Sequence, residues 1–358
     1  MKKNSRLFFT AACSIIFLQS AWAQDIHYVQ YEAAPLAVNP AFTGTFDGNV
    51  RASVLYRNQW ASVTIPYITY GASFDMPVFT GRKGDYLAAG MQVFKDQAGD
   101  GGLNNFSGLA SVAYHKFFGY DPYIKDQHGC DFAIGLQGGY VQKSISLGDV
   151  FFKNTYPYPP YGNFLPGIGV LLPVAYVNTE SAFTINAGLC FSQSVGTRFN
   201  YTIGFSGSNL NQPGDPFTQR QNEQLGMDRM YTGVFAANWI VVNRLSLKPS
   251  VLYLSKETLT AVIAGNEFCY TLIKKPARNN HPTSLFLGGW YRTGDIETIT
   301  AGIEFNAFRI GVGYDYDTHS ASQASMPDGT TNSNGGFEIS VRYVAPSAHK
   351  RAIPCSRF

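Results

Sequence analysis

The stretch that comes nearest to a catalytic motif is Gly204-Phe205-Ser206-Gly207-Ser208. A serine framed by glycines on a sharp strand-to-helix turn exposes its hydroxyl for attack on an acyl carbon. Here Ser208 stands where the second glycine belongs, and the neighbours read as a strand with no helix after it. Asp315 and Asp317 share one face of an alternating segment and could meet a cation together with loop residues. Two carboxylates beside a loop are more often simply solvated, and that is the expectation here. The six histidines (27, 115, 128, 281, 319 and 349) are scattered and read as loop or rim polarity. Cys130, Cys190, Cys269 and Cys355 are widely and irregularly spaced, without CxxC, and no HxxxH pair occurs. Zinc-type spacing is therefore absent. The expectation is a protein with no enzymatic activity, no cofactor and no metal.

The elements that carry these residues are set by a dyad alternation. Phe337, Ile339, Val341 and Tyr343 are separated by Glu338, Ser340 and Arg342, and Phe308 to Asp317 alternates the same way. Successive strand side chains point to opposite faces. One face is therefore apolar and rich in aromatics, the other small, polar or charged. That pattern is the mark of an all-β transmembrane antiparallel barrel with lipid outside and polar groups inside.

Composition points the same way. Aromatic residues are 15% of the chain and charged residues 14%, the latter far below the ~25% of soluble domains. Lys2, Lys3 and Arg6, an apolar run to Leu18, and Ala21-Trp22-Ala23 form a signal peptide over residues 1–23, with cleavage expected near Ala23. Cys13 after Ala11-Ala12 raises a lipoprotein leader, but the apolar run continues past it through Ile15, Ile16, Phe17 and Leu18. The leader holds the net charge of +3, so the mature chain is near neutral, which argues against nucleic acid as a partner. No later stretch reaches the ~18 to 20 uninterrupted apolar residues of a spanning helix. An outer-membrane location, in contact with its lipid, follows.

Fourteen alternating segments can be read between residues 50 and 344, most of them near the length a tilted membrane strand needs. A fifteenth, 168–177, is interrupted by Pro173 and preceded by Pro166, and reads as loop. With the N-terminus in the periplasm, the three longest connections, 143–181, 208–229 and 318–336, all fall outside. Most connections on the other side are short, as barrels of this kind require. Inward positions are mostly small (Gly90, Gly135, Gly188 and Gly311 among them), leaving room for other parts of the chain.

What does not alternate is distinctive. Residues 24–49 are apolar but irregular and should form a plug in the lumen or a periplasmic collar. Asn39-Pro40 and Thr43-Gly44 are turn-forming pairs within it. Arg57 faces inward and is expected to pair with a lumenal carboxylate such as Glu338. Trp60, just past the first strand, fits an interfacial girdle, with ligand stacking as the alternative. The longest loop carries Tyr156, Tyr158 and Tyr161 among prolines. It is either a cap on the barrel mouth or a partner-binding surface. Residues 345–358 form a periplasmic tail made basic by Lys350, Arg351 and Arg357.

Three blocks together resemble the PorP/SprF family of type IX secretion system membrane proteins. They are Gln30-Tyr31 followed by Asn39-Pro40-Ala41-Phe42-Thr43-Gly44 and Tyr56-Arg57-Asn58-Gln59-Trp60, then residues 201–213, then residues 335–344 with the Pro354-Cys355-Ser356-Arg357-Phe358 ending. Where the family often has histidine, this chain has Ser208 or Asn209. The resemblance implies an outer-membrane barrel in protein secretion and, in gliding relatives, the surface display of adhesins. It implies as partners a secreted surface protein with a C-terminal sorting domain, and a periplasmic lipoprotein or ring component. The competing reading is an outer-membrane channel for small solutes, since a lumen of this width conducts unless it is filled.

Overall fold

The computed structural model describes residues 30–59, 66–81, 84–98, 103–118, 129–146, 177–220, 223–257, 259–273, 282–294, 296–317 and 335–346. Its first five strands are β1 (Val50–Gln59), β2 (Tyr67–Thr80), β3 (Tyr86–Ala98), β4 (Leu103–Phe118) and β5 (Cys130–Ser146). Next come β6 (Val177–Val195), β7 (Phe199–Ser208), the short β8 (Gly214–Arg220) and β9 (Glu223–Gly226), then β10 (Met230–Val242). The last six are β11 (Leu245–Lys256), β12 (Leu259–Ile273), β13 (Thr283–Arg292), β14 (Ile296–Phe305), β15 (Phe308–Asp317) and β16 (Gly336–Ala345).

Fourteen of these strands close into one antiparallel barrel, and they coincide with the fourteen alternating segments. β16 pairs back onto β1 from Val50↔Ala345 to Gln59↔Gly336, so the ring has no free edge. Inside hydrocarbon there is no water to satisfy an unpaired backbone group, and closure is how a sheet meets that demand. The connection 208–229, expected as plain loop, contains the hairpin of β8 and β9. That hairpin pairs only with itself and leaves the ring count unchanged.

The faces follow the sequence alternation. Along β13, Ser284, Phe286 and Trp290 are buried while Leu285, Leu287 and Tyr291 are exposed. The outward set is large and apolar around the ring, with Phe205 at 63% and Ile299 at 65% exposure. No helix among the described residues is long and apolar enough to cross a membrane. The strands cross instead.

Antiparallel order places the connections at two opposite ends. The connections that follow β5, β7 and β15 leave those strands at one end, while the turns after β6, β10 and β14, two or three residues long, lie at the other. The β14–β15 turn uses Asn306 and Ala307, both at positive φ (45° and 75°), the twist that suits a two-residue hairpin. At the same end Asp85 fastens the β2–β3 turn to β4, accepting from Lys116 Nζ at 2.5 Å and from Phe117 N at 3.0 Å.

Val312, on β15, is 40% exposed on the outward face. Val312→Arg is expected to cost ~2–4 kcal/mol for a cation near the bilayer midplane. Denaturant unfolding of protein folded into lipid vesicles measures this, and a near-neutral result would invert the assignment of faces.

Candidate functional site

The chain before β1 turns three times against the inner wall. Tyr31–Ala33 and Pro40–Phe42 are 3-10 turns and Pro35–Val38 is one α-helical turn. Proline opens two of them, where its missing N–H costs nothing and its fixed φ is already helical. Asn39 joins those two. Its Oδ1 accepts from Ala41 N at 2.8 Å, and its Nδ2 donates to Leu189 O and Phe205 O at 3.0 and 3.2 Å. One side chain thus caps a turn and ties it to β6 and β7.

Small inward residues make room for this segment. A Cβ at Gly135 would strike Pro40 and Ala41, one at Gly188 would strike Asn39, and one at Gly311 would strike Gln30. Gly44 is needed for a second reason: its φ of +81° is strained for any side chain. Its N–H donates to Asp75 Oδ2 at 2.7 Å and its carbonyl accepts from Tyr86 Oη at 2.9 Å. Tyr31, Val38, Ala41 and Phe42 form one apolar cluster with Ala133, Cys190, Leu252 and Trp290 of the wall. The Tyr31 hydroxyl also bonds Ser250 Oγ.

Buried charges hold the same segment from the wall side. Arg51 grips Asp75 with two bonds, at 2.9 and 2.8 Å, and gives a third to Phe42 O at 2.9 Å. Such two-pronged geometry is the strong form of an ion pair. His115 sits between Asp131 Oδ2 at 2.9 Å and Thr43 O at 2.8 Å. A carbonyl only accepts, so Nε2 donates to Thr43. Further along β1, Arg57 bonds Asp315 of β15 at 2.5 Å and Glu338 of β16 at 3.3 Å. The other oxygen of Glu338 accepts from Gln30 N at 2.7 Å.

A further network links Lys248, Glu267, Glu304 and Arg309. Lys248 reaches Glu267 at 3.1 Å, and Arg309 reaches Glu267 at 2.5 Å and also Glu304. Arg309 stacks on Phe286 at 3.7 Å. Between this network and Tyr31–Ala33 lies a cavity of about 20 Å³, room for roughly one water.

The structure brings together Asn39, Pro40 and Gly44 on the segment, and Arg57 with Glu338 on the wall. Trp60, Tyr156, Tyr158, Tyr161, Lys350, Arg351 and Arg357 lie outside the described residues, as do residues 1–29. Two expectations are corrected, those for Asp315 and His115, while Ser206 falls on a strand as expected. Asp315 is not a solvated rim carboxylate: it is buried, and it accepts from Thr298 Oγ1 as well as from Arg57. His115 is not rim polarity but a fully buried ligand of the Thr43 carbonyl. Ser206 lies within β7 and donates to Val38 O at 2.7 Å, so it is not poised as a nucleophile. Sequence reasoning missed Arg51, Asp75, Asp131, Glu267 and Arg309. Their signal was a charge on the small-residue parity of a strand.

Two substitutions probe this arrangement. Asp75→Asn leaves Arg51 buried without a countercharge, and about 3–5 kcal/mol of stability should be lost, measured by denaturant unfolding. Gly135→Val collides with Pro40, so a cysteine placed at Leu36 should become reactive to a water-soluble maleimide while the barrel remains folded. An unreactive cysteine would show that the wall does not hold the segment at that point.

Among solved structures, the chain is similar to the Ralstonia pickettii toluene transporter TbuX at 10% identity and a TM-score of 0.47. That match covers 87% of this chain and 94% of TbuX. A deltaS2 mutant of the TodX monoaromatic hydrocarbon channel gives 11% identity and a TM-score of 0.45, over 87% of this chain and 93% of that one. CdiB from Acinetobacter baumannii gives 11% and 0.39, over 82% and 60%. No curated protein matches the chain significantly. The profile of the type IX secretion system membrane protein PorP/SprF matches residues 20–343. The chain belongs to the PorP/SprF family of type IX secretion system membrane proteins.

Proposed function

We propose that this protein is an outer-membrane docking barrel of the type IX secretion system that acts without catalysing a reaction. Its outer end, bearing the long connections, receives a secreted surface protein with a C-terminal sorting domain. The collar end and the basic tail 345–358 contact a periplasmic lipoprotein or ring component. Family membership supports the secretion role. The observation that carries docking over conduction is the bonded segment 30–48, tied to β2, β4, β6, β7 and β16. In this reading the segment is a plug, and a plugged barrel serves as a platform.

The aromatic loop with Tyr156, Tyr158 and Tyr161 is the proposed grip on the secreted partner, since exposed aromatics are enriched at interaction surfaces. Lys350, Arg351 and Arg357 supply the complementary contact below. No cofactor or metal enters the proposal.

Deleting residues 346–358, which follow the end of β16, should leave membrane insertion intact and reduce co-purification of periplasmic secretion components. Replacing Tyr156, Tyr158 and Tyr161 together by serine should lower cell-surface retention of the secreted partner, read by surface labelling. Unchanged secretion and surface display in a strain lacking the whole protein would overturn the proposal in favour of a solute channel.

A further inference from the structure

Most of the outward face carries large apolar side chains, but one row across β10 to β13 does not. The strand registers set Pro249 against Asn266, and Asn266 against Gly289. On β10 the ladder pairs Ala236 with Ser250 and Trp239 with Leu247, and skips the two positions between. Pro249 has no N–H to give that ladder. Ala237, in the gap, is 1% exposed. A Cβ at Gly289 would meet nothing within 4 Å. The flanking rows are high: Phe235, Val251 and Tyr291 on one side, Trp239, Phe268 and Leu287 on the other, between 39% and 56% exposed. The result is a shallow groove about 14 Å long, four strands at their usual spacing.

Asn266 lies on the floor of this groove. It is the central residue of β12, the strand Leu259–Ile273, which sets it near the middle of the bilayer. Gly265, its neighbour, points inward against Trp290, so the carboxamide points out. Among the described residues nothing bonds that carboxamide. An amide without a partner in hydrocarbon is costly. The strand keeps one there, beside a proline that interrupts the ladder.

We propose that the Pro249–Asn266–Gly289 groove is the contact between two copies of this chain within the membrane, with the two Asn266 carboxamides bonded to each other. A carboxamide carries a donor and an acceptor and is its own complement. A two-fold axis through Asn266 therefore satisfies both heads at once, as a buried asparagine pair does between helices. A two-fold contact uses the same patch on each copy. The small groove floor lets the walls approach, and the flanking Phe235, Phe268 and Leu287 ridges pack around the pair. A closed ring has no strand edge to offer inside the bilayer, so association there uses a side-chain face.

The test uses the full-length protein in its native outer membrane, with the mature cysteines Cys130, Cys190, Cys269 and Cys355 replaced by alanine. Asn266→Cys should form a disulfide-linked species of twice the chain mass on mild oxidation. Val112→Cys, outward on β4 and 48% exposed, should stay monomeric. Asn266→Leu, checked for folding by heat-modifiable mobility, should lower the dimer fraction in mild detergent at least about tenfold. A monomeric wild-type protein would overturn the proposal. So would a cross-link from position 266 to a chain of different mass, or a dimer that Asn266→Leu leaves unchanged.

Discussion

In a hydrocarbon layer a strand cannot leave a row of N–H and C=O groups unpaired, and every other feature of this protein depends on how that demand is met. The β1–β16 closure, running through all ten residues of β1, turns fourteen strands into a wall without an edge. Once the wall is closed, the alternation of side chains has two consequences. One parity must be tolerable to lipid, and the other encloses a space shielded from it. The large apolar residues went outward. The interior could then hold charges that no lipid-facing position would accept.

That interior is filled by pairing. Arg51 with Asp75, and Arg57 with Asp315 and Glu338, are buried ion pairs, and His115 is hydrogen-bonded to Asp131. Replacing such pairs with well-packed apolar residues often leaves stability unchanged or improves it, whereas removing one partner is severe. What these pairs supply is position. Arg51 also bonds Phe42 O, His115 bonds Thr43 O, and Glu338 bonds Gln30 N. Each pair thus has a backbone atom of the segment 30–48 as its third member. The segment's location is written into side chains from both halves of the ring. The docking proposal, as distinct from family membership, draws on that: a platform needs a fixed interior, and a conduit needs an empty one.

Much of this was legible in the residues. The fourteen strands stood in the alternation because one face meets lipid along each of them, a constraint that leaves little freedom. Arg57 and Glu338 could be paired in advance because both sit on inward parity in strands that must neighbour each other when the ring closes. The β8–β9 hairpin was not visible, since it lies outside the barrel sheet, whose two-sided environment is what imposes the alternation. His115 and Asp315 were misjudged for a related reason. Polarity on an inward strand face looks the same whether the side chain meets water or a buried backbone carbonyl. For Asp315 the deciding partners are Arg57 and Thr298 of the wall; for His115 it is the path of 30–48, which depends on contacts such as Asn39 with Leu189, 150 residues apart.

The most direct test of the account is the conductance of the purified full-length protein in a planar lipid bilayer at neutral pH. The bonded segment predicts a closed baseline with no steady ionic current under moderate voltage. A stable open pore of porin-like conductance would contradict it. The lumen would then be a passage, and the docking role would lose its physical basis.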